Sequence, residues 1–173
     1  MPGSVPDPVI QVKGLAARFG HNTIFQGVSF EVNRGEILVV LGGSGCGKST
    51  LLKHMVGLYR PAAGRVLING VDVNTPNESE LRRLRRQIGV LFQSGALFGS
   101  MTLAENVALP LLEYTDLPRA MVNRVVRMKL GLVDLAGYDN HLPEELSGGM
   151  KKRAGLARAM ALDPGVLFFD EPS

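Results

Sequence analysis

The stretch GGSGCGKS, residues 42 to 49, decides the fold. It fits the pattern G-x-x-x-x-G-K-[ST], and it lies between Ile37 to Leu41, an apolar run that we predict as a buried strand, and a helical run from Thr50 to Val56. A glycine-rich turn lets consecutive backbone N–H groups converge on one anion, and the positive end of the following helix adds to the attraction. The alternative is a glycine-rich turn without a ligand, but the full pattern should arise by chance in only about one such chain in a hundred.

Each position of this loop has an expected role. Lys48 would reach the β- and γ-phosphates of a nucleotide, and Ser49 would supply a hydroxyl to Mg²⁺. Cys46 is predicted to fill space in the loop and not to act as a nucleophile, because no histidine lies near it in sequence. The complete predicted set of phosphate-loop residues is Gly42, Gly43, Ser44, Gly45, Cys46, Gly47, Lys48, Ser49 and Thr50.

A second polar cluster follows the apolar run Val166 to Phe169, which we predict as a strand. Asp170 can hold Mg²⁺, and Glu171 can orient or deprotonate an attacking water. Alone, this acidic pair would be best interpreted as an ordinary turn after a strand; together with the phosphate loop it predicts a hydrolytic site. Gln93, at the end of another predicted strand, Ile88 to Phe92, could reach the metal or the water, or could be a polar loop residue.

A second anion site is predicted at Ser147, Gly148 and Gly149, directly ahead of a long helix, Gly149 to Leu162. Ser147 would cap the helix, and the glycines would expose N–H groups beside the positive end of the helix dipole. One chain is not expected to bring both loops to one γ-phosphate. The prediction is therefore a head-to-tail dimer of two copies held together by ATP.

The rest of the chain divides by its patterns. Short β-type runs and an Asn69-Gly70 hairpin signal predict a small antiparallel sheet before residue 77, where Asn77 and Glu80 can cap a helix. After Ser94 the strand signals stop, and helices are predicted at Thr102, whose capping box uses Glu105, and over Arg119 to Leu130. We predict a disordered tail over residues 1–8, one ATP-binding domain over 9–173, and a helical insert within it at about 94–153.

Composition limits the class of protein. Hydrophobic residues make up 45% and charged residues 20% of the 173, as in an ordinary globular domain. The single cysteine fits a reducing compartment, and no run approaches the ~20 apolar residues that cross a bilayer. The net charge is +3. The arginines at 82–86 and the basic run 151–153 could serve nucleic acid, but without interleaved aromatics they are better interpreted as solvated helix faces, and no nucleic-acid partner is expected.

These four motifs, in this order and spacing, resemble the nucleotide-binding domain of ABC transporters: the phosphate loop, Gln93, the signature Leu146 to Met150, and the acidic strand. The resemblance implies an α/β fold, a P-loop NTPase (RecA-like) core with a small antiparallel β subdomain and an inserted α-helical subdomain. It implies an ATPase that uses ATP and Mg²⁺, with Lys48, Gln93 and Glu171 catalytic. It also implies that Phe19 stacks on adenine; a hydrophobic core position is the alternative for this residue.

A narrower resemblance is to the ATPase subunit of the Mla phospholipid transporters of Gram-negative bacteria. It rests on the stretches 92–98 and 106–111 and on methionine at position 150. It implies phospholipid transport between membranes that maintains outer-membrane asymmetry, and a cytoplasmic subunit on the inner face of the inner membrane. The implied partners are a membrane permease, an MCE-type binding protein and, in some members, a STAS-domain protein. The alternatives are another cargo, such as an amino acid or other small solute, and a nucleotide-binding fragment without turnover.

The sequence departs from the family after Glu171. Family domains continue with a dimer-facing loop, further strands and a histidine that contacts the γ-phosphate. His21, His54 and His141 all precede Glu171 and match no such role. We therefore expect the sequence to be the N-terminal part of a longer protein.

Overall fold

The computed structural model describes residues 8–171. The predicted disordered tail, residues 1–8, lies outside this range except for Pro8, with which the first strand begins. The chain divides into two compact units, the first ending at Leu84 and the second beginning at Arg85. The helices and strands, in chain order, are β1 (Pro8–Phe19), β2 (Asn22–Asn33), α1 (Lys48–Met55), β3 (Ala63–Ile68), β4 (Val71–Asp72), α2 (Glu78–Arg85), β5 (Ile88–Leu91), α3 (Leu103–Tyr114), α4 (Arg119–Leu132), α5 (Gly148–Ala159) and β6 (Val166–Phe169).

The first unit is built on an antiparallel sheet with the strand order β2-β1-β3-β4. Its apolar side chains alternate with polar ones, so one face can be buried while the other stays wet. Val12 of β1 faces Val66 of β3 in the register, and both are almost completely buried, at 1% and 0% exposure. The predicted small antiparallel sheet is confirmed.

The hairpin between β3 and β4 follows from two residues. Asn69 and Gly70 have φ angles of 48° and 77°, the left-handed conformation that a two-residue hairpin turn requires. Ile68 then pairs with Val71 across the turn. Asn77 also caps α2 as predicted, because its Oδ1 accepts hydrogen bonds from the two amides that follow Glu78, at 3.1 and 3.4 Å.

The prediction of a buried strand over residues 37–41 is wrong. No strand within residues 8–171 pairs with this segment, and its side chains are exposed, from 44% at Leu38 to 90% at Ile37. An apolar run forms a buried strand only where a neighbouring backbone accepts its hydrogen bonds and another layer covers its side chains. The antiparallel sheet of its own unit supplies neither.

The second unit holds a two-stranded parallel sheet, β5 beside β6. Both strands were predicted, but β6 is covered on one side only: Phe168 is buried, whereas Leu167 and Phe169 are 37% and 44% exposed. Helix α5 approaches β5 closely, since a Cβ at Gly89 would lie 2.2 Å from the carbonyl oxygen of Ala159. Glycine at this position therefore sets the distance between helix and sheet.

Helices α3, α4 and α5 bury their apolar faces in one cluster. The capping box of Thr102 and Glu105 is present at the start of α3, as predicted. Helix α4 continues through Gly131 to Leu132, beyond the predicted stop, because the left-handed residue that follows it is Asp134 at φ 56°. The fully buried members of the cluster are Leu103, Val107, Val122, Leu130, Leu135, Ala154 and Ala157.

One cation lies among these apolar side chains. Lys129 of α4 is 3% exposed, and its ammonium pairs with the carboxylate of Asp163, which is itself mostly exposed. Asp163 has a φ of 48° and lies in the turn after α5. α5 ends at Ala159, earlier than the predicted Leu162. Within residues 8–171, no helix is both long and apolar enough to cross a bilayer.

Candidate functional site

The phosphate loop ends in the first turn of α1. Gly47 holds φ at 98° immediately before the helix, and its carbonyl accepts the first helical hydrogen bond, from Leu51 N at 2.8 Å. A Cβ at Gly47 would lie 2.7 Å from Ile24, and a Cβ at Gly42 would lie 2.5 Å from the sulfur of Cys46. A side chain at Gly42 would therefore collide within the loop, and one at Gly47 would collide with β2. The small residues of the loop leave the N–H groups and the positive end of α1 open to an anion.

Lys48 closes the loop on itself in this structure. Its ammonium donates to the carbonyl oxygens of Gly42, at 2.9 Å, and Gly43, at 3.0 Å. The positive charge therefore lies across the first turn of the loop. A phosphate would compete with two neutral carbonyls for this cation, and a bond in which donor and acceptor are both charged is the stronger one.

The positions of the remaining loop residues are compatible with their predicted roles, which stay predictions. Gly45 has a φ of 78°, which glycine adopts without strain, and Cys46 is exposed and packs its sulfur toward Gly42. Ser49 and Thr50 lie in the first turn of α1. A hydroxyl is a suitable Mg²⁺ ligand, as are a carboxylate and an amide oxygen. No group of three or more His, Cys, Asp or Glu side chains converges within residues 8–171.

An aromatic cluster surrounds the other end of α1. Phe19, the last residue of β1, is 48% exposed, so it is not a core residue. Its ring contacts the rings of His54 and Tyr59 edge to face, with centroids 6.5 and 5.5 Å away. His54 is buried, and because a carbonyl only accepts, its Nδ1 donates to Thr50 O at 2.8 Å. Sequence reasoning assigned no role to His54; its i+4 spacing from Thr50 in the phosphate-loop helix was the available signal.

The acidic end of β6 brings Glu171 to Gln93. The amide of Gln93 donates to a carboxylate oxygen of Glu171 at 2.7 Å, although the residues are 78 positions apart in sequence. This contact arises because β5 and β6 are parallel neighbours, so their carboxyl ends lie side by side. Asp170 continues the ladder through a bond from its N–H to Leu91 O at 2.9 Å, and its side chain is buried. Glu171 is exposed at φ 49°.

The second anion site has the predicted cap. Ser147 Oγ accepts a hydrogen bond from Met150 N at 3.3 Å at the start of α5. A Cβ at Gly148 or Gly149 would meet nothing within 4 Å, so the first turn of α5 is open to a large ligand. This end of the helix carries no acidic residue in its first turn, which leaves its positive dipole uncompensated.

Two residues that organise the loop after Gln93 were missed. Arg158 of α5 donates to Ala96 O at 2.8 Å and to Gly95 O at 3.0 Å, and burial lowers the pKa of its guanidinium. Asn106 of α3 is 0% exposed and holds the backbone of Phe98 at both its N–H and its carbonyl. Helix periodicity assigns both residues to helices, but no sequence pattern reports bonds to a distant loop.

A groove of about 520 Å³ lies beside this loop, within the second unit. Its walls are mostly apolar, and its charged groups are Arg85, Glu113 and Arg158. Phe98 lines the groove and also lies under the guanidinium of Arg158, 5.9 Å from ring centroid to carbon. The loop after Gln93 therefore forms one wall of the groove.

Comparisons with known proteins found a matching family model and similar relatives. A family model described as ABC transporter matches residues 25–173. The chain is 48% identical, over 94% of its length, to a probable ribonucleotide transport ATP-binding protein mkl of Mycobacterium leprae, and covers 47% of that protein. It is 44% identical, over 95% of its length, to an intermembrane phospholipid transport system ATP-binding protein MlaF of Haemophilus influenzae, and covers 62% of it. The chain thus spans about half to three fifths of these curated relatives.

A solved structure shares the fold. It is a dimeric ATP-binding cassette in a post-hydrolysis state, bound to ADP and Pi; the TM-score is 0.86 at 30% identity, over 95% of this chain and 74% of that one. The predicted α/β, P-loop NTPase fold class is confirmed by this likeness.

Proposed function

The chain belongs to the ABC transporter family, and we propose that it is the ATP-binding and ATP-hydrolysing part of a transporter subunit. The observation that carries the proposal is the phosphate loop, where Gly42 and Gly47 leave no room for a side chain and Lys48 lies across the turn. These features favour a bound polyphosphate because they combine converging N–H groups, a helix N-terminus and a mobile cation. ATP is the polyphosphate implied by the family.

Binding is assigned to the first unit. The loop N–H groups and Lys48 would hold the β- and γ-phosphates, with the ammonium leaving its two carbonyl partners to do so. Phe19 would stack on the adenine, and its half-exposed ring supports this over a core role. The rings of His54 and Tyr59 are inclined to that of Phe19 by 61° and 77°, so neither stacks parallel on it, and a base would supply that parallel contact.

Hydrolysis is assigned to the second unit. Glu171 would orient the attacking water and accept its proton, and the amide of Gln93 fixes one of the two carboxylate oxygens, so the other would face the water. Ser49 in the first unit, and Gln93 and Asp170 in the second, each carry an oxygen that suits Mg²⁺, and the ion would neutralise phosphate charge when bound. In this assignment the bond from Gln93 orders the base before water arrives.

The subunit is proposed to form a dimer with a second copy of itself and to bind a membrane permease. The open first turn of α5 at Ser147, Gly148 and Gly149 would contact the nucleotide of the opposite copy in a head-to-tail dimer. The groove beside the loop after Gln93 would receive a cytoplasmic helix of the permease, since the groove is mostly apolar and open at the surface of the inserted helices.

For cargo we favour phospholipid. The similarity to MlaF and the stretches at 92–98 and 106–111 support transport between membranes that maintains outer-membrane asymmetry, from the inner face of the inner membrane, with an MCE-type protein and a STAS-domain protein as further partners. The name of the mycobacterial relative supports another cargo, a ribonucleotide. Purification of the native complex separates the two, because a phospholipid transporter should retain phospholipid with its permease and MCE subunits.

The enzymatic part of the proposal is tested with purified full-length protein. Equilibrium binding of ATP and Mg-ATP turnover are measured for the wild type, Lys48→Ala and Glu171→Gln, with Lys13→Ala as control for an exposed lysine. Lys48→Ala should weaken ATP binding, and Glu171→Gln should keep binding while lowering kcat by about 100-fold or more. ATP binding that is unaffected by Lys48→Ala would reject the phosphate loop as the site.

A further inference from the structure

The loop that follows Gln93 contains a turn that its own sequence does not favour. Gly95 and Ala96 both adopt left-handed conformations, at φ 75° and 47°. Glycine does so freely, but an alanine there has its Cβ too close to the backbone. Local bonds fix the backbone up to Gly95, whose N–H donates to Phe92 O at 2.7 Å, but hold Ala96 weakly, because its N–H lies 3.4 Å from Ser94 Oγ. Something outside the loop must hold Ala96 in place.

Arg158 makes the hydrogen bonds that fix this turn. The two terminal nitrogens of its guanidinium each donate to one carbonyl of the turn, Ala96 O at 2.8 Å and Gly95 O at 3.0 Å. The same planar group lies over the ring of Phe98, two residues further along. A fork of two donors in one rigid plane fixes both peptide planes at once, whereas an ammonium can bond two carbonyls but holds them in a less fixed geometry.

The packing of α5 against the turn is equally close. A Cβ on Gly155 would lie 2.8 Å from Gly95 O, and a Cβ on Gly95 would lie 2.7 Å from Lys151 O. The helix backbone and the turn therefore touch without intervening side chains. Small displacements of α5 must move the turn, because neither surface has room to yield.

The turn lies between two functional surfaces. On one side, two residues before it, Gln93 is bonded to Glu171 at 2.7 Å. On the other side, Ala96, Phe98 and Arg158 line the groove. At the opposite end of α5 are Ser147 and the open glycines.

We propose that Arg158 is a positioning residue: its bonds to Gly95 and Ala96 fix the turn that places Gln93 on Glu171, and so link α5 and the groove to the base. The proposal rests on the proposed function, because Glu171 must be the base for the link to affect turnover. It does not require Arg158 to contact the nucleotide. A merely structural arginine would affect the fold of the second unit but not Gln93 selectively.

Two variants test this in the full-length protein with its permease. Arg158→Met keeps the length and apolar contacts of the side chain but removes both donors, and Arg158→Lys keeps the charge but not the fork. The readouts are kcat, the ATP dissociation constant, the melting temperature, and hydrogen exchange of the amides of residues 94–98. Arg127→Met, at an exposed arginine of α4, is the control.

In Arg158→Met we expect kcat to fall by about tenfold or more, the ATP dissociation constant to stay within about twofold, and the amides of residues 94–98 to exchange faster. Arg158→Lys should show the same pattern, more weakly. A second substitution, Ala96→Gly, should recover part of kcat, because glycine adopts the left-handed conformation without help.

Unchanged kcat and unchanged exchange in Arg158→Met would overturn the proposal. So would a loss of ATP affinity equal to the loss of kcat, since that is the pattern of general unfolding. If Arg158→Met does not fold, Arg158→Lys decides by the same readouts. If the wild type neither binds nor hydrolyses ATP, the proposed function fails, whereas the exchange of residues 94–98 still reports whether Arg158 holds the turn.

Discussion

Replacement of Asn106 should destabilise the second unit more than any exposed substitution in its helices. The side chain is completely buried and makes four hydrogen bonds. Its Oδ1 accepts from Phe98 N at 2.8 Å, and its Nδ2 lies 3.0–3.1 Å from the carbonyl oxygens of Phe98, Met101 and Thr102. This network ties the loop before α3 to the first turn of the helix.

The magnitude follows from what each substitution leaves behind. Asn106→Leu has a similar volume but removes the acceptor of Phe98 N–H, whose orphaning costs about 1–3 kcal/mol. Two of the three carbonyls keep a backbone donor, Phe98 O from Met101 and Thr102 O from Asn106 itself. The total loss is therefore about 2–4 kcal/mol.

Asn106→Asp should be worse than Asn106→Leu at neutral pH. It keeps the acceptor for Phe98 N–H but sets a buried anionic oxygen against three carbonyl oxygens about 3 Å away. Burial and these oxygens raise the folded-state pKa of the new carboxyl, so its destabilising effect is complete above that pKa and declines as the pH falls through it.

Urea unfolding followed by far-ultraviolet circular dichroism measures the effect, since the chain contains no tryptophan. The wild type, Asn106→Leu and Asn106→Asp are compared at about pH 7 and about pH 4. Asn123→Asp, at an exposed position of α4, is the matched control and should change the unfolding free energy by less than about 0.5 kcal/mol. If Asn106→Asp unfolds at the same urea concentration as the wild type at neutral pH, the reasoning about this network is refuted.

Three further effects are expected. Asp163→Asn should lower the free energy of unfolding in urea by about 1–3 kcal/mol, because it leaves the buried ammonium of Lys129 without its carboxylate. Lys129→Met should lower it by less, since the carboxylate of Asp163 is solvated. An equal loss in both variants would contradict this. Hydrogen bonds from the backbone N–H of Thr102, and then from its hydroxyl, lower the pKa of Glu105 below its ordinary 4.5, so the stabilisation that Glu105 contributes is present above pH 4.5 and is lost as the pH falls through the lowered pKa. The difference in melting temperature between the wild type and Glu105→Gln should therefore shrink as the pH is lowered below 4.5. A difference that stays constant with pH would show that the charge of Glu105 is irrelevant. Gly47→Ala should abolish ATP binding in a filter or fluorescence assay while the antiparallel sheet persists, because its Cβ is strained at φ 98° and would lie 2.7 Å from Ile24, which forces the loop to shift. Retained affinity would disprove the close fit.

The parts of the fold that local chemistry controls were predictable. The Asn69-Gly70 turn, the Thr102–Glu105 capping box and the Ser147 cap depend on a few neighbouring residues, and all are present. The pattern of the phosphate loop belongs to the same class, because its glycines act mainly through their own backbone angles, as at Gly45 and Gly47. It was therefore readable without the structure.

Other features depend on partners that are distant in sequence. Apolar composition predicted a strand over residues 37–41, but a strand also needs a neighbouring backbone, and no strand in the described chain pairs there. The predicted ends of α4 and α5 were also wrong: α4 continues to Leu132, before the left-handed Asp134, and α5 ends at Ala159 and not at Leu162. A left-handed residue that is not glycine gives no clear signal in sequence.

The sequence by itself predicted which residues would carry the chemistry: Lys48, Gln93, Ser147 and Glu171 belong to motifs whose spacing reflects a local backbone shape. Only the tertiary structure decided that Gln93 meets Glu171 across 78 residues and that Arg158 holds the turn between them. The physical reason is the range of the forces involved. Turns and caps are set by steric limits and hydrogen bonds within one or two turns of chain, whereas these contacts exist only after β5 pairs with β6 and α5 packs against them.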